Sequence, residues 1–272
     1  MRKTLFPLLL AILCCQFTPL SAQTAAPKPT RYNVYAYMKV APGMYDDYLK
    51  MEKAYKKLHL ADKKAGRLED WSLAEVVSPA GTNTEYDFVC RNTYIGHAAL
   101  AAQYERVYDT NGMESILSPA EIALVKRTNE IRKMVKVEVW SMTDGVWADD
   151  ADTKAKLFVW NYFSIPEGKT GDDHKKVELD IWKPIMAARI KDGKMKGWGL
   201  LNMELPFGAS MPYSQATVDG YTGMEQMLAP WFEDYFKKVH PGKDVKKLFK
   251  QTAAVCTLEK GEVRMMIDRL AW

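Results

Sequence analysis

The segment VYAYMKVAPG at residues 34–43 returns later in the chain as VWNYFSIPEG at residues 159–168. Each copy carries β-favouring and aromatic residues and then breaks at a proline and a glycine, which is typical of a strand that ends in a turn. The same strand therefore opens two related halves of the chain.

A second matched segment lies further along each half. Gly66 and Trp71 recur as Gly193 and Trp198 with the same spacing. The register then holds without a gap through matched prolines, glycines and tyrosines, which are Pro79, Gly81, Tyr86, Tyr94 and Gly96 in the first half and Pro206, Gly208, Tyr213, Tyr221 and Gly223 in the second. A period this long indicates a duplicated domain rather than a solenoid of short units.

Each half is predicted to run strand, helix, strand, strand, helix, strand. The predicted strands are 32–40, 71–77, 86–94 and 135–142, and then 157–165, 198–205, 213–221 and 262–270. This order is the ferredoxin-like plait, in which four antiparallel strands carry both helices on one face. The uncovered face must be buried. We therefore predict an α+β fold in which two tandem plaits close on each other as an intramolecular barrel with the helices outside.

The domain boundaries follow from these elements. Repeat 1 is predicted to span residues 31–142 and repeat 2 residues 155–272, joined by an acidic linker at 143–154. The run around Asp149 and Asp150 has the composition of a calcium loop but lacks the glycine and the closing glutamate at their required places. We interpret it as a solvated linker.

The chain resembles a tandem member of the dimeric α/β-barrel superfamily. The resemblance depends on the element order over residues 31–272 and on the strand ends at 40–43 and 165–168, each leading into an acidic, aromatic helix. These strand ends are most similar to the NIPSNAP and antibiotic-monooxygenase-like branches. The resemblance implies a barrel that holds a small molecule and, in the second branch, a cofactor-independent oxygenase.

The N-terminus has the pattern of a Sec-type signal peptide. Arg2 and Lys3 precede a short apolar run at 5–13, and Ser21-Ala22 offers a cleavage site. We expect a signal peptide at 1–22, a flexible segment at 23–30, and a periplasmic or extracellular product. The alternative is a retained anchor, but the run is too short to span a bilayer comfortably. We expect no stable membrane insertion.

Charge and cysteine content narrow the function further. The net charge of +4 falls to +2 when Arg2 and Lys3 are removed, which is too balanced to indicate nucleic-acid binding. Cys14 and Cys15 lie within the signal, leaving Cys90 and Cys256. These two could pair in an oxidising compartment, but they are not repeat equivalents, and their placement favours two buried thiols.

The first strand of each repeat supplies the candidate ligand-binding residues. Alternation places Tyr35, Tyr37 and Lys39 on the face that looks into the barrel, with Trp160 and Tyr162 as their counterparts. These aromatic side chains would line a pocket for a small apolar or aromatic ligand. The alternative is that they simply fill the barrel as core.

The paired tryptophans have two interpretations. Trp71 and Trp198 could be the walls of two equivalent pockets. They could equally be anchors that pin the helices to the sheet, and their duplication favours this second interpretation, because duplicated folds share packing needs before they share sites.

Histidines are informative through their asymmetry. His97 opens a helix in repeat 1, and its counterpart in repeat 2 is Met224, so His97 is our candidate general base. A haem protein is an alternative that would need His240 as the iron ligand, next to Pro241 at a helix break, which is a poor setting. His174 and Glu178 are only two potential metal ligands, so we predict no metal site and no cofactor.

Charged residues inside strands are the remaining candidates. Arg91 and Arg264 are both predicted on strands, and a charge that points into a closed barrel needs a partner or a ligand. The chain lacks a nucleophile elbow, a phosphate-binding glycine loop and a dinucleotide fingerprint.

Four functions are compatible with these patterns. The first is an exported barrel, monomeric or homodimeric, that binds a small apolar or aromatic ligand. The second is a cofactor-independent monooxygenase acting on an aromatic or polyketide-like substrate. The third is the haem protein that would need His240, and the fourth is an interaction protein that uses its helical exterior.

Overall fold

The structure of the protein is a computed structural model that describes residues 29–81, 83–105 and 110–270. The predicted signal peptide at 1–22 lies outside the described residues, as does most of the segment at 23–30. In the described part of the chain, no helix is long and apolar enough to cross a membrane.

Eight strands form the sheet. They are β1 (Arg31–Val40), β2 (Asp70–Ser78), β3 (Phe88–Ile95), β4 (Arg132–Trp147), β5 (Leu157–Ser164), β6 (Gly197–Leu205), β7 (Gln215–Tyr221) and β8 (Thr257–Arg269).

Helices connect the strands on the outside. In repeat 1 these are α1 (Tyr45–Lys64), α2 (His97–Glu105), a 3-10 turn (Thr110–Ser115), α3 (Pro119–Lys126) and α4 (Thr128–Ile131). The connection between the repeats carries α5 (Ala151–Lys154). Repeat 2 contains α6 (Gly171–Val177), a π-helical turn (Glu178–Trp182), α7 (Lys183–Lys191), α8 (Met224–Leu228), α9 (Phe232–Val239) and α10 (Val245–Ala253).

The sheet closes on itself in the order β1-β3-β2-β8-β5-β7-β6-β4. All neighbouring strands are antiparallel, and each repeat contributes four adjacent strands. The two repeats meet where β2 pairs with β8 and where β4 pairs with β6. Closure removes the free strand edges that either plait would expose alone. The predicted fold is therefore confirmed.

The two faces of the sheet have separate cores, as the alternation of the first strand predicted. Met38 on the outer face packs with Tyr48 and Met51 of α1. Tyr35 and Tyr37 on the inner face belong to a cluster that is enclosed by the barrel. The helices therefore pack on the outer face of the sheet, and the aromatic side chains fill the inner face.

The turns after the long helices have the same backbone conformation in the two repeats. Gly66 and Gly193 both have φ of 70°, and each follows the long helical segment of its repeat. A side chain at either position would be strained, because φ lies in the left-handed region.

The structure differs from the predicted linker at 143–154. β4 continues through Trp147, because Gly145, Val146 and Trp147 pair with β6. Only the following residues form a turn and the short helix α5, where Asp150 accepts hydrogen bonds from Lys196 at 2.8 Å and 3.0 Å. Part of this segment is therefore barrel wall.

Cys90 and Cys256 are both free and buried, and burial raises the pKa of the Cys90 thiol. We expect the form without residues 1–22 to show these two thiols to Ellman's reagent only after unfolding, with a Tm that dithiothreitol does not change. If the unfolded protein showed no reactive thiols, Cys90 and Cys256 would not be free thiols.

Candidate functional site

The middle of the barrel is filled by tyrosines from both repeats. Tyr37 and Tyr162 are fully buried, and their hydroxyl oxygens lie 3.4 Å apart. Their rings pack against Tyr86 and Tyr213, with ring centroids 4.6 Å apart in each pair. The middle of the interior is therefore solid.

A buried carboxylate anchors this tyrosine cluster in each repeat, and the first is Glu138 on β4. It accepts hydrogen bonds from the hydroxyls of Tyr37 at 2.6 Å and Tyr213 at 2.7 Å, and from the indole of Trp140 at 3.1 Å. Burial alone would raise the pKa of Glu138, but the charge of Lys136 and these hydrogen bonds lower it. Glu138 is held as a carboxylate.

The second carboxylate is Glu262 on β8, which contacts a tyrosine and a lysine as Glu138 does. Tyr86 donates to it at 2.5 Å, and the Lys260 ammonium lies at 2.8 Å. Arg264 Nε donates to its other oxygen at 2.5 Å. Burial opposes ionisation, yet the charges of Arg264 and Lys260 lower the pKa of Glu262 to about 2.

Arg264 is where the two networks differ, because its counterpart two residues after Glu138 is Trp140. Arg264 is 2% exposed. Its guanidinium also donates to the hydroxyl of Tyr162 and lies 4.4 Å from the ring centroid of Trp160. One copy of a symmetric interior therefore carries an extra buried cation, which the other lacks.

A cavity of about 390 Å³ opens on the far side of Arg264, at the end of the barrel near α5. Its aromatic lining is Tyr35, Trp147, Phe158 and Trp160. Its polar and charged lining is Arg31, Asn33, Asp70, Ser72, Arg91, Asp152, Arg264 and Arg269. The volume lies in the range of small-molecule sites, and the mixture of flat apolar walls with a few polar groups is typical of them.

The polar wall contains atoms without partners. Asp70 on β2 is 3% exposed and accepts a hydrogen bond from the Arg91 guanidinium through its Oδ2. Asp70 Oδ1 and Arg91 Nε are buried and have no hydrogen-bond partner in the described part of the chain. Such atoms cost free energy unless a further group satisfies them.

The mouth of the cavity is electropositive. Arg269 donates to the backbone carbonyls of Asp152 and Ala155. Burial, and then the like charge of Arg91, lower the pKa of Arg269. Burial raises the pKa of Tyr35, against the opposing charges of Arg91 and Arg264. A bound anion would relieve the repulsion between these guanidinium groups.

The candidate residues of the first strands fall into two groups. Tyr35 and Trp160 line the cavity and meet edge to face, with ring centroids 4.9 Å apart. Tyr37 and Tyr162 lie in the packed middle. Both interpretations of the aromatic face therefore apply, each to a different level of the barrel.

The other candidates lie away from the cavity. Lys39 is near the opposite end of β1 and pairs with Asp87 at 2.8 Å. Trp71 and Trp198 belong to the clusters between helices and sheet, which is the anchor arrangement. His97 is exposed at the start of α2 and does not line the cavity; it follows Gly96, whose φ of 80° turns the chain out of β3 and onto the helical layer.

The remaining histidines do not form a metal or haem site in the described residues. His240 Nε2 lies 3.0 Å from the carbonyl of Ile181, so the nitrogen that would bind haem iron is already hydrogen-bonded. His174 contacts Gln215 and Glu178 on the outer face of the sheet. No cluster of three or more metal-ligating residues occurs in the described chain, and no histidine lines the cavity. These residues do not fit a histidine-ligated haem.

Sequence reasoning identified Arg91 and Arg264 only as strand charges, and it missed Asp70, Ser72 and Trp147. One available signal was a mismatch between repeats: Asp70 and Ser72 stand where repeat 2 has Gly197 and Gly199. Because glycine has no side chain, such a mismatch at inward positions predicts that the two repeats enclose differently shaped spaces inside the barrel.

The fold defines the class of protein. It is a ferredoxin-like α/β barrel in which two plaits of one chain form the closed sheet. No protein family model and no curated protein sequence matches it. A candidate monooxygenase from Fusobacterium nucleatum subsp. nucleatum has a similar structure, with a TM-score of 0.53 and 11% identity over 89% of this chain and 94% of that chain.

Two further solved structures are similar. An anthrone oxidase-like protein has a TM-score of 0.49 and 11% identity over 90% of this chain and 94% of that one. A candidate chlorite dismutase has a TM-score of 0.46 and 8% identity over 88% and 96%. At these identities the similarity concerns the fold alone.

Proposed function

We propose that this protein is exported and binds a flat, anionic aromatic molecule in the cavity at the α5 end of the barrel. The observation that carries the proposal is the cavity itself, whose aromatic walls stand beside arginines and unpaired polar atoms. Tyr35 and Trp160 would contact the ring system, and Arg91 would face the anionic group. The NIPSNAP-like resemblance of the strand ends is compatible with binding without turnover.

The anion preference follows from the charges around the cavity. Four arginines and two aspartates line it; Glu262 balances Arg264 and Asp70 pairs with Arg91, which leaves Arg31 and Arg269 against Asp152. Arg91 and Arg269 repel each other. A carboxylate or phenolate between them would form charge-assisted hydrogen bonds, which are stronger than neutral ones.

Isothermal titration calorimetry with 1-hydroxy-2-naphthoate, a planar bicyclic anion, tests this proposal. We expect the wild-type protein to bind it and Tyr35→Ala to weaken binding about 10-fold, because an aromatic wall contributes roughly 1.4 kcal/mol. Tyr104→Ala removes an exposed tyrosine of α2 and should leave the affinity unchanged. Equal affinity in all three proteins, or no binding by the wild type, would count against the cavity.

A second candidate function is a cofactor-independent monooxygenase. The observation that favours it is that Asn33, Tyr35, Trp160 and Arg264 meet at one cavity, since oxygenases of the resembling branch position substrates with such residue types. The similar Fusobacterium structure carries that description as a candidate. In such a reaction, the two C–H bonds of a substrate methylene break and supply four electrons and two protons to dioxygen; one oxygen atom becomes the carbonyl oxygen of the product and the other leaves with both protons as water.

Oxygen uptake with 1,3-indanedione, a bicyclic compound with an activated methylene, separates the two functions. An oxygenase would consume dioxygen and form the trione above the rate in buffer, and Arg264→Met would abolish the excess. Binding of 1,3-indanedione without uptake would favour the binding protein.

A further inference from the structure

Trp147 lies in a slot built from glycines. A Cβ atom added at Gly197 would lie 1.9 Å from Trp147 Cε3, one at Gly220 would lie 3.1 Å from Cζ3, and one at Gly199 would lie 3.5 Å from Cζ2. The indole therefore lies against the backbone of β6 and β7. A side chain at Gly197 would overlap it and one at Gly220 would crowd it, whereas one at Gly199 would only touch it.

Repeat 1 uses the matching space differently. The counterparts of Gly197 and Gly199 are Asp70 and Ser72, and both line the cavity. At this end of the barrel, the side belonging to repeat 1 is hollow and polar, whereas Trp147 fills the side belonging to repeat 2. Trp147 is itself part of the cavity lining, so the slot and the cavity are continuous.

We infer that Trp147 sets the size limit of the ligand: it occupies a slot for one flat ring that the cavity would otherwise include. This inference rests on the proposed binding function and makes it more specific. The natural ligand would be a planar anion of about two fused rings, and removal of the indole would admit a third. Beside the slot, the apolar side chains of Met142 and Val218 lie close to Gly199 and also line the cavity, so this space suits an aromatic ring rather than a polar group.

The first test compares two anions, 1-hydroxy-2-naphthoate with two fused rings and 9-anthracenecarboxylate with three, by calorimetry. Wild type should prefer the smaller one. In Trp147→Ala, the affinity for the larger relative to the smaller should rise at least about 10-fold, since burial of an added ring is worth more than roughly 1.4 kcal/mol. Trp182→Ala removes a tryptophan of the helical layer and should leave this ratio unchanged.

The second test moves the indole instead of deleting it. In Gly197→Ala the new methyl group would displace Trp147 into the cavity, so affinity for 1-hydroxy-2-naphthoate should fall about 10-fold. Adding Trp147→Ala to the same chain should restore it. Loss of affinity that the second substitution does not restore would overturn the inference.

A third measurement needs neither anion. Free indole should raise the Tm of Trp147→Ala and not that of wild type, because a rigid apolar cavity binds the ring it has lost. No rise would overturn the slot. If wild type binds the smaller anion but the affinity ratio of the larger to the smaller anion is the same in Trp147→Ala, the size limit is wrong and the binding function stands. If neither protein binds either anion, both proposals are wrong.

Discussion

Replacement of Arg264 by methionine is expected to lower the free energy of unfolding by about 3 kcal/mol. Loss of one partner of a buried ion pair costs roughly 3–5 kcal/mol, because the other charge remains in a medium of low polarity. The effect should fall at the lower end here, since Lys260 still lies 2.8 Å from Glu262. Methionine keeps most of the packing volume against Trp160. Urea denaturation measures the difference.

A double substitution separates charge from packing. Arg264→Met combined with Glu262→Gln should recover on the order of 1–2 kcal/mol, because the buried group that has lost its arginine is then neutral and no longer depends on Lys260 alone. The matched control lies in the other repeat: Trp140→Met removes a buried side chain beside Glu138, and Glu138→Gln should not rescue it. Equal rescue in both pairs, or in neither, would show that Arg264 stabilises the barrel through packing alone.

Much of the fold could be predicted because two patterns reinforce each other. Alternation in the first strands separates the inward Tyr35 and Tyr37 from the outward Met38, and duplication then implies a second sheet that can cover the first. Both features are local or repetitive, so a single sequence displays them. The closure by β2 with β8 and β4 with β6 follows from the need to cover the open faces and edges of both plaits.

The candidate site was only partly predictable, because cavity and core share the same residue types. Tyr37 is packed because Tyr86, from the loop before β3, and Tyr162, from β5, reach it, whereas Tyr35 two residues earlier lines a cavity. Such cross-strand contacts do not appear in one strand's pattern. Trp147 was missed because the acidic run beside it indicated a linker.

Differences between the repeats occur both on the helical layer and inside the barrel. His97 differs from its counterpart on an exposed helix, where duplicated copies diverge freely. Arg264 and Trp140 differ at an enclosed strand position, where a new charge needs compensation. A difference between repeats is therefore more informative inside the barrel than on the helical layer.

The second large effect concerns Asp219 on β7. It is 9% exposed, and its Oδ1 has no hydrogen-bond partner in the described part of the chain. Asn161 donates weakly to Oδ2 at 3.4 Å. Burial raises the pKa of Asp219 from 3.8 to about 7; the charge of Arg189 opposes this rise and that of Glu178 adds to it.

Asp219→Asn is therefore expected to stabilise the protein above pH 7 by on the order of 2 kcal/mol and to change little at pH 4. Between pH 3.8 and about 7 the folded carboxyl keeps a proton that the unfolded chain releases. Rising pH thus favours the unfolded chain across this window, and the penalty is complete above it. Asparagine is neutral throughout and removes the penalty. Urea denaturation of both proteins at pH 4, 6 and 8 measures the difference.

Asp173 provides a control of opposite sign. Its carboxylate caps α6 by accepting hydrogen bonds from the backbone and side chain of Thr170, and these bonds lower its pKa. Asp173→Asn should therefore destabilise the protein at pH 8 and lose that effect as the pH falls below the usual range of an aspartate. A general effect of removing a negative charge would give both variants the same sign at pH 8. Opposite signs at pH 8 would show that the buried charge of Asp219 destabilises the folded protein. An Asp219→Asn protein that is no more stable than wild type at pH 8 would refute this explanation.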